Sequence, residues 1–170
     1  YDANVRSPLI FSMPGRIPEN RVCKTPVSGV DLVSTMLRFT GMREPWPMHG
    51  RDLTPLLKDP DARWDHPAML VATGRKYGSD TNVIPQGQEA FHGDVPWYVM
   101  IRDQRYKYVR PLIPDLEELY DLDSDPEELD NLAVKATHKT RLRRMRAQTI
   151  TELRRTKCGF VDRMPAVREA

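Results

Sequence analysis

Long hydrophobic runs are missing from this chain. No apolar stretch approaches the roughly 18–20 residues that a helical membrane span requires. Net charge is nearly absent too: 26 Lys and Arg against 24 Asp and Glu leave +2. There is thus no global field to recruit nucleic acid or an anionic membrane. Cysteine is scarce. Cys23 and Cys158 stand far apart and are too few for a disulfide framework; unpaired thiols are the simpler reading, pairing stays open, and the compartment is not fixed by them. The chain opens on Tyr1 with no charged-then-apolar leader, as expected of a piece whose targeting segment lies elsewhere. Internal repeats and low-complexity tracts are also lacking.

Ready-made chemistry is equally sparse. His49, His66, His92 and His138 share no close spacing, which argues against a local zinc site. Asp123 and Asp125 have calcium-like spacing. Pro126 follows them, however, and the Gly and downstream Glu of an EF-hand loop are missing, so a turn is expected. There is no Gly-rich phosphate loop.

Proline, by contrast, is abundant: 15 of 170 residues, about 9% against a typical ~5%. Nearly all lie in the stretch up to Pro126, which predicts a loop-rich first part and a helical last part. Hydrophobic residues at 39% and charged ones at 29% allow a modest core. Val5–Met13 reads as a strand, apolar on both faces toward its end as in a buried parallel sheet, with Pro8 favouring an edge or late start. Asp31–Thr40 reads as a helix with Ser28 as N-cap and Gly41 as its C′ residue. Leu32, Val33, Met36, Leu37 and Phe39 give it a broad apolar face. A second short helix covers Leu53–Lys58.

Further on, Ala68–Thr73 reads as a strand. Gly74–Pro96 is a long polar loop, of the kind that is functional or disordered. Trp97–Arg102 and Arg105–Arg110 alternate with period two and form a hairpin, and Glu118–Leu122 completes a four-stranded antiparallel sheet. Pro126 suits a first helical turn capped by Ser124 or Asp125. Leu142, Met145, Thr149, Ile150 and Leu153 mark the buried stripe of a long helix from Lys139 to Lys157. That stretch holds eight basic residues against Glu152 alone, whereas residues 115–130 are acidic with no Lys or Arg. The simplest account is a solvated helix face partly balanced by the acidic segment. A nucleic-acid surface is the sharper alternative, weakened by the missing aromatics.

Three motifs in succession carry most of the information: Tyr106-Lys107-Tyr108-Val109-Arg110, then Glu118-Leu119-Tyr120-Asp121-Leu122, then Asp125-Pro126-Glu127-Glu128 leading to Asn131-Leu132-Ala133. The set resembles the C-terminal signature of the sulfatase family, a KY strand followed by ELYDL, a DP-E turn and an NLA run. Upstream, Tyr1–Ile10 is similar to the family's YE-x-x-(I/V)-R-x-P-L-I strand. Val30–Leu37 resembles V-D-L-x-P-T-L-L, with Ser34 where proline is common, and Gly50–Leu57 resembles G-R-S-L-x-P-L-L, with Asp52 in place of Ser. The shared order extends over about 130 residues.

The resemblance implies an α+β fold. Residues 61–170 are expected to form the sulfatase C-terminal subdomain, a four-stranded antiparallel sheet packed on a long C-terminal helix. Residues 1–60 are expected to be a strand and short helices belonging to a truncated α/β sulfatase domain. If Val5–Met13 is a strand without its neighbours, exposed apolar surface should follow. The implied parent enzyme is a sulfuric ester hydrolase. Its nucleophile is a formylglycine made from Cys or Ser in C/S-x-P-x-R, its cation usually calcium held by Asp and Asn oxygens, and its Lys and His position the sulfate and protonate the leaving oxygen.

This sequence departs from that set. Cys23 is followed by Lys24-Thr25-Pro26, with proline one place late and no Arg, and no D-D or D-N-G metal motif occurs. The expectation is a scaffold inactive by itself, with no catalytic or metal residues of its own. Its expected partner is the missing N-terminal catalytic domain of the same protein. A sulfated small molecule or carbohydrate is the parent's implied substrate, and a periplasmic, secreted or lysosomal location follows from the resemblance alone. The resemblance implies that loops of this unit can rim the substrate pocket, which makes His92, Lys76 and Arg75 candidate substrate contacts, with an ordinary polar loop as the alternative. Two rival readings stand beside this one: a phosphonate or phosphodiester hydrolase of the alkaline-phosphatase superfamily, and a free-standing polyanion-binding module.

Overall fold

A sheet and one long helix carry the second part of the chain, and short helices tied by polar caps carry the first. The computed structural model describes residues 2–74 and 82–168. They fall into two units, Tyr1–Ala68 and Met69–Ala170.

In the first unit, α1 (Asp2–Val5), α2 (Asp31–Thr40) and α3 (Thr54–Lys58) are the regular elements. Residues 6–13 form no strand, which corrects the strand expected over Val5–Met13. A strand exists by pairing, and no described segment of this unit offers a ladder to residues 6–13. Apolar side chains are exposed there without a strand: Ile10 is 87% exposed and Leu9 46%. Helix α2 ends as expected, with Gly41 at φ 71°, its N–H reaching the Arg38 carbonyl and the Met42 N–H the Leu37 carbonyl, a Schellman closure.

The start of α2 differs from expectation. Val30, not Ser28, holds the N-cap position, without a side-chain cap bond. The buried Asp31 carboxylate instead reaches back to accept the Ser28 N–H at 2.9 Å and across to accept the Arg51 N–H at 2.7 Å. Thr35 Oγ1 accepts the Leu53 N–H at 3.0 Å. These bonds commit the polar side of α2 to the interior. Asp31, Ser34 and Thr35 are buried, whereas Val33 and Met36 of the expected apolar face are exposed.

The second unit contains a four-stranded antiparallel sheet in the order β1 (Ala68–Ala72), β4 (Tyr98–Arg102), β5 (Tyr106–Pro111), β6 (Glu118–Asp121). Between β1 and β4 lies a small hairpin of β2 (Phe91–His92) and β3 (Val95–Pro96). The antiparallel register pairs Ile101 with Tyr108 and Tyr108 with Leu119. Helix α4 (Lys139–Arg155) packs on β4 and β5. Its buried residues are Leu142, Met145, Thr149, Glu152 and Leu153, four of the five expected, with Ile150 half-buried.

Two apolar clusters result. One joins Ile101, Tyr108, Leu119 and Leu132 to Leu142 and Met145; the other joins Trp97, Val99 and Leu112 to Leu153 and Phe160. Each fully buried Leu or Ile contributes about 1.5–3 kcal/mol. The helix expected at Pro126 does not form; residues 122–131 are turns and irregular chain. The Asp125 carboxylate, expected as a helix cap, accepts the Leu129 and Asp130 N–H groups of a turn instead.

Candidate functional site

The motif-bearing strands place their charged residues in two buried pairing systems. Strand β5 alternates its side chains between two faces. Lys107 therefore leaves the helix-facing side and meets Glu128 from the turn after β6, Nζ to Oε2 at 2.7 Å, with both side chains 2% exposed. Glu128 sits at φ 60°, a left-handed conformation costing about 1–2 kcal/mol for a residue with Cβ. The second system centres on Glu117. Its carboxylate accepts the Tyr108 hydroxyl and the Arg146 guanidinium, whose Nε lies 2.9 Å from both oxygens. Arg110 Nη1 adds a contact at 4.0 Å.

Along both α4 and β5 these polar residues stand between the members of the two apolar clusters. Arg146 follows Met145 and precedes Leu153, and Arg110 lies between Tyr108 and Leu112. Burial, reinforced by the Glu117 hydrogen bond, holds the Tyr108 phenol protonated far above its usual range. The Glu117 hydrogen bond likewise raises Arg146.

A third pair closes the β5–β6 edge. Arg105 Nε and Nη2 donate to the two oxygens of Asp121 at 2.8 and 2.6 Å, and the guanidinium holds that carboxyl below its ordinary range. Asn131 then stitches the following 3₁₀ turn to β6. Its Oδ1 accepts the Leu119 and Ala133 N–H groups, and its Nδ2 donates to the Glu117 carbonyl. Thus Lys107, Tyr108, Asp121, Glu128 and Asn131, the residues that make the sequence recognisable, are architectural. Sequence reading found the motif but not these partners, because pairs 21 or 29 residues apart have no local periodic signal.

The candidate substrate contacts come out apart from this network. His92 lies exposed in β2, opposite Val95 in the hairpin turned by Gly93 at φ 62°. The hairpin is anchored by the Trp97 N–H, which donates to the Ala90 carbonyl at 2.7 Å. Arg75 and Lys76 lie outside the described residues. Both cysteines are free thiols, and burial pushes the Cys158 thiol up, away from nucleophile character. Among the described residues no group of three or more His, Cys, Asp or Glu gathers as a metal would require. Most carboxylates of the acidic segment are instead engaged by Lys, Arg, Tyr and backbone donors, so the described residues do not fit the calcium site that the family implies.

Residues 1–72 match the family model described as "N-sulphoglucosamine sulphohydrolase, C-terminal". The chain is 32% identical over 145 residues to arylsulfatase K of Xenopus laevis, covering 82% of this chain and 24% of that protein. It is 30% identical over 137 residues to a Δ4,5-hexuronate-2-O-sulfatase of Bacteroides thetaiotaomicron, covering 78% and 25%. Among solved structures it is similar to a 2-O GAG sulfatase, at 26% identity and a TM-score of 0.59, covering 82% of this chain and 27% of that one. The chain thus spans about a quarter of the length of the curated relatives it matches. With its sheet-and-helix unit, its buried KY and ELYD pairs and these likenesses together, the chain belongs to the sulfatase family, of which it carries the C-terminal portion.

Proposed function

We propose that these residues serve as the C-terminal scaffold of a sulfuric ester hydrolase, bracing its catalytic domain and shaping access to it rather than performing the chemistry. The observation that carries this reading is the inverted amphipathicity of the first unit. Helix α2 turns Asp31, Ser34 and Thr35 inward and Val33 and Met36 outward, and Ile10 and Val22 are more exposed still, at 87% and 80%. Apolar surface on that scale belongs against another body. A catalytic α/β domain of the same protein is the occupant this reading assigns to it. The formylglycine nucleophile and the calcium ligands of the family would come from that domain. Sulfated sugars or small sulfate esters are the substrate class, in keeping with the relatives' names.

The hairpin bearing His92, with Arg75 and Lys76 upstream, is the segment this reading places at the pocket rim. The test is a sulfate-release assay of the 170-residue chain with an aryl sulfate and calcium. No turnover above the uncatalysed rate is expected, and turnover abolished by a calcium chelator would overturn the scaffold reading. The phosphonate hydrolase alternative is less supported, since the curated relatives above are sulfatases.

A further inference from the structure

The sequence alone offers the acidic segment 115–130 as the counterweight to the basic helix α4. The structure assigns most of those acids elsewhere. Asp121 is held by Arg105, Glu128 by Lys107, and Asp130 by Lys135. Glu118 accepts the Tyr120 hydroxyl, and Asp125 accepts two backbone N–H groups. Of the acidic segment, only Glu117 reaches the helix, at Arg146. Farther along, Arg154 pairs with Asp162 and Arg155 with Glu152, while Arg141 lies over the Tyr106 ring at 4.2 Å.

Within the helix Lys139, Arg143 and Arg144 remain, with Lys157 beyond its end. All three helix residues are exposed, and none has a carboxylate partner among the described residues. Lys139 and Arg143 are four apart on one face, where like charges destabilise a helix. Lys139 also occupies its first turn, where the dipole disfavours cations. Folding therefore gains little from this cluster, and a bound external anion would offset the repulsion within it.

We infer that Lys139, Arg143 and Arg144 form a docking face for a linear sulfated polysaccharide, holding the unreacted length of a polymeric substrate. This rests on the sulfatase reading and narrows its substrate class. The three cations span about 7–8 Å of helix axis, and arginine forks suit sulfate oxygens bidentately. The exposed neighbours Thr140, Ala147 and Thr151 supply no aromatic ring for stacking, which favours a polysaccharide over single-stranded nucleic acid.

The experiment measures salt-dependent binding of the whole 170-residue chain to heparin, to desulfated heparin and to DNA, with the triple variant Lys139→Gln/Arg143→Gln/Arg144→Gln alongside. Circular dichroism verifies that the variant folds; a second variant, Arg143→Gln/Arg144→Gln, serves if it does not. Heparin binding is expected to weaken about tenfold or more in the variant, and its log–log salt slope to fall by about two to three. Desulfated heparin is expected not to bind. No heparin binding, unchanged affinity in the folded variant, or DNA binding as tight as heparin with the same loss would each overturn the inference. A separate assay with a small sulfate ester, on the protein that carries this portion, distinguishes the two readings. Turnover there with unchanged heparin binding in the variant sinks only the docking face. The expected binding loss without turnover sinks only the sulfatase reading.

Discussion

Lys107 and Glu128, 21 residues apart in sequence, meet as a sealed ion pair, with Nζ 2.9 and 2.7 Å from the two carboxylate oxygens. A lysine in mid-strand and a glutamate in a left-handed turn are each unfavourable alone, and each is accommodated by the other. The pair fixes the turn after β6 against β5. Opposite charges buried together are stable as a pair and costly when separated.

Removing one partner should therefore cost more than removing both. Lys107→Met or Glu128→Leu is expected to destabilise the second unit by about 3–5 kcal/mol. Lys107→Met with Glu128→Leu should recover a substantial part of that loss. Urea denaturation of the three variants checks this, and additive losses would show the pair to be uncoupled.

Tyr108 sets an alkaline limit. Its folded pKa is raised, first by burial and then by the Glu117 hydrogen bond, above its ordinary value of 10.0. The unfolded chain gives up this proton first. The associated stability is thus whole below pH 10 and drains away as pH rises from there toward the folded value. Tyrosinate absorbance should show a fraction that ionises only as the chain unfolds, and Tyr108→Phe should diminish it. Simultaneous ionisation of all six tyrosines in the folded chain would contradict the assignment.

Asp121 sets an acid limit of opposite sign. Its carboxyl is depressed by the Arg105 hydrogen bonds below its ordinary value of 3.8. The stability it contributes is present above that value and is lost as pH falls through the folded one. In Arg105→Gln, carboxyl NMR should find the Asp121 titration moved upward, with a shallower acid loss of stability. An Asp121 titration identical in both proteins would mean that the bidentate contact is not formed in solution.

Two glycines separate backbone from side-chain obstruction. A Cβ on Gly50 would lie 2.2 Å from the Val30 carbonyl oxygen, whereas one on Gly159 would meet the Asn82 side-chain oxygen at 2.1 Å. Backbone cannot step aside as a side chain can. Gly50→Ala is expected to destabilise the first unit by about 1–3 kcal/mol, and Gly159→Ala to cost less in the second. Amide exchange at Arg51 and Leu53, the N–H groups bonded to Asp31 and Thr35, reports the first; protection unchanged in Gly50→Ala would refute it.

Local pattern was enough for the periodic elements. Alternation at Trp97–Arg102 and Arg105–Arg110 gave the hairpin, the stripe from Leu142 to Leu153 gave α4, and Gly41 ended α2, since each signal repeats within one or two turns of chain. It failed where an element depends on what lies beside it. Residues 6–13 look like a strand by composition but have no paired neighbour, and Pro126 looks like a helix start but is captured in a turn by Asp125 and Glu128. Of the candidate rim residues, His92 was placed in its exposed hairpin and was not joined to any cluster among the described residues.

Sequence by itself determined the family, the sheet-and-helix order of the C-terminal unit and the want of a nucleophile motif, because these are written in residue type and spacing along the chain. Tertiary structure alone decided which charges meet. Lys107 with Glu128, Arg146 with Glu117 and Arg105 with Asp121 are chosen by strand register and helix docking, which carry residues distant in sequence to within hydrogen-bond reach. That Lys139, Arg143 and Arg144 have no carboxylate partner among the described residues emerges only once the ion pairs of α4 and the sheet have been assigned.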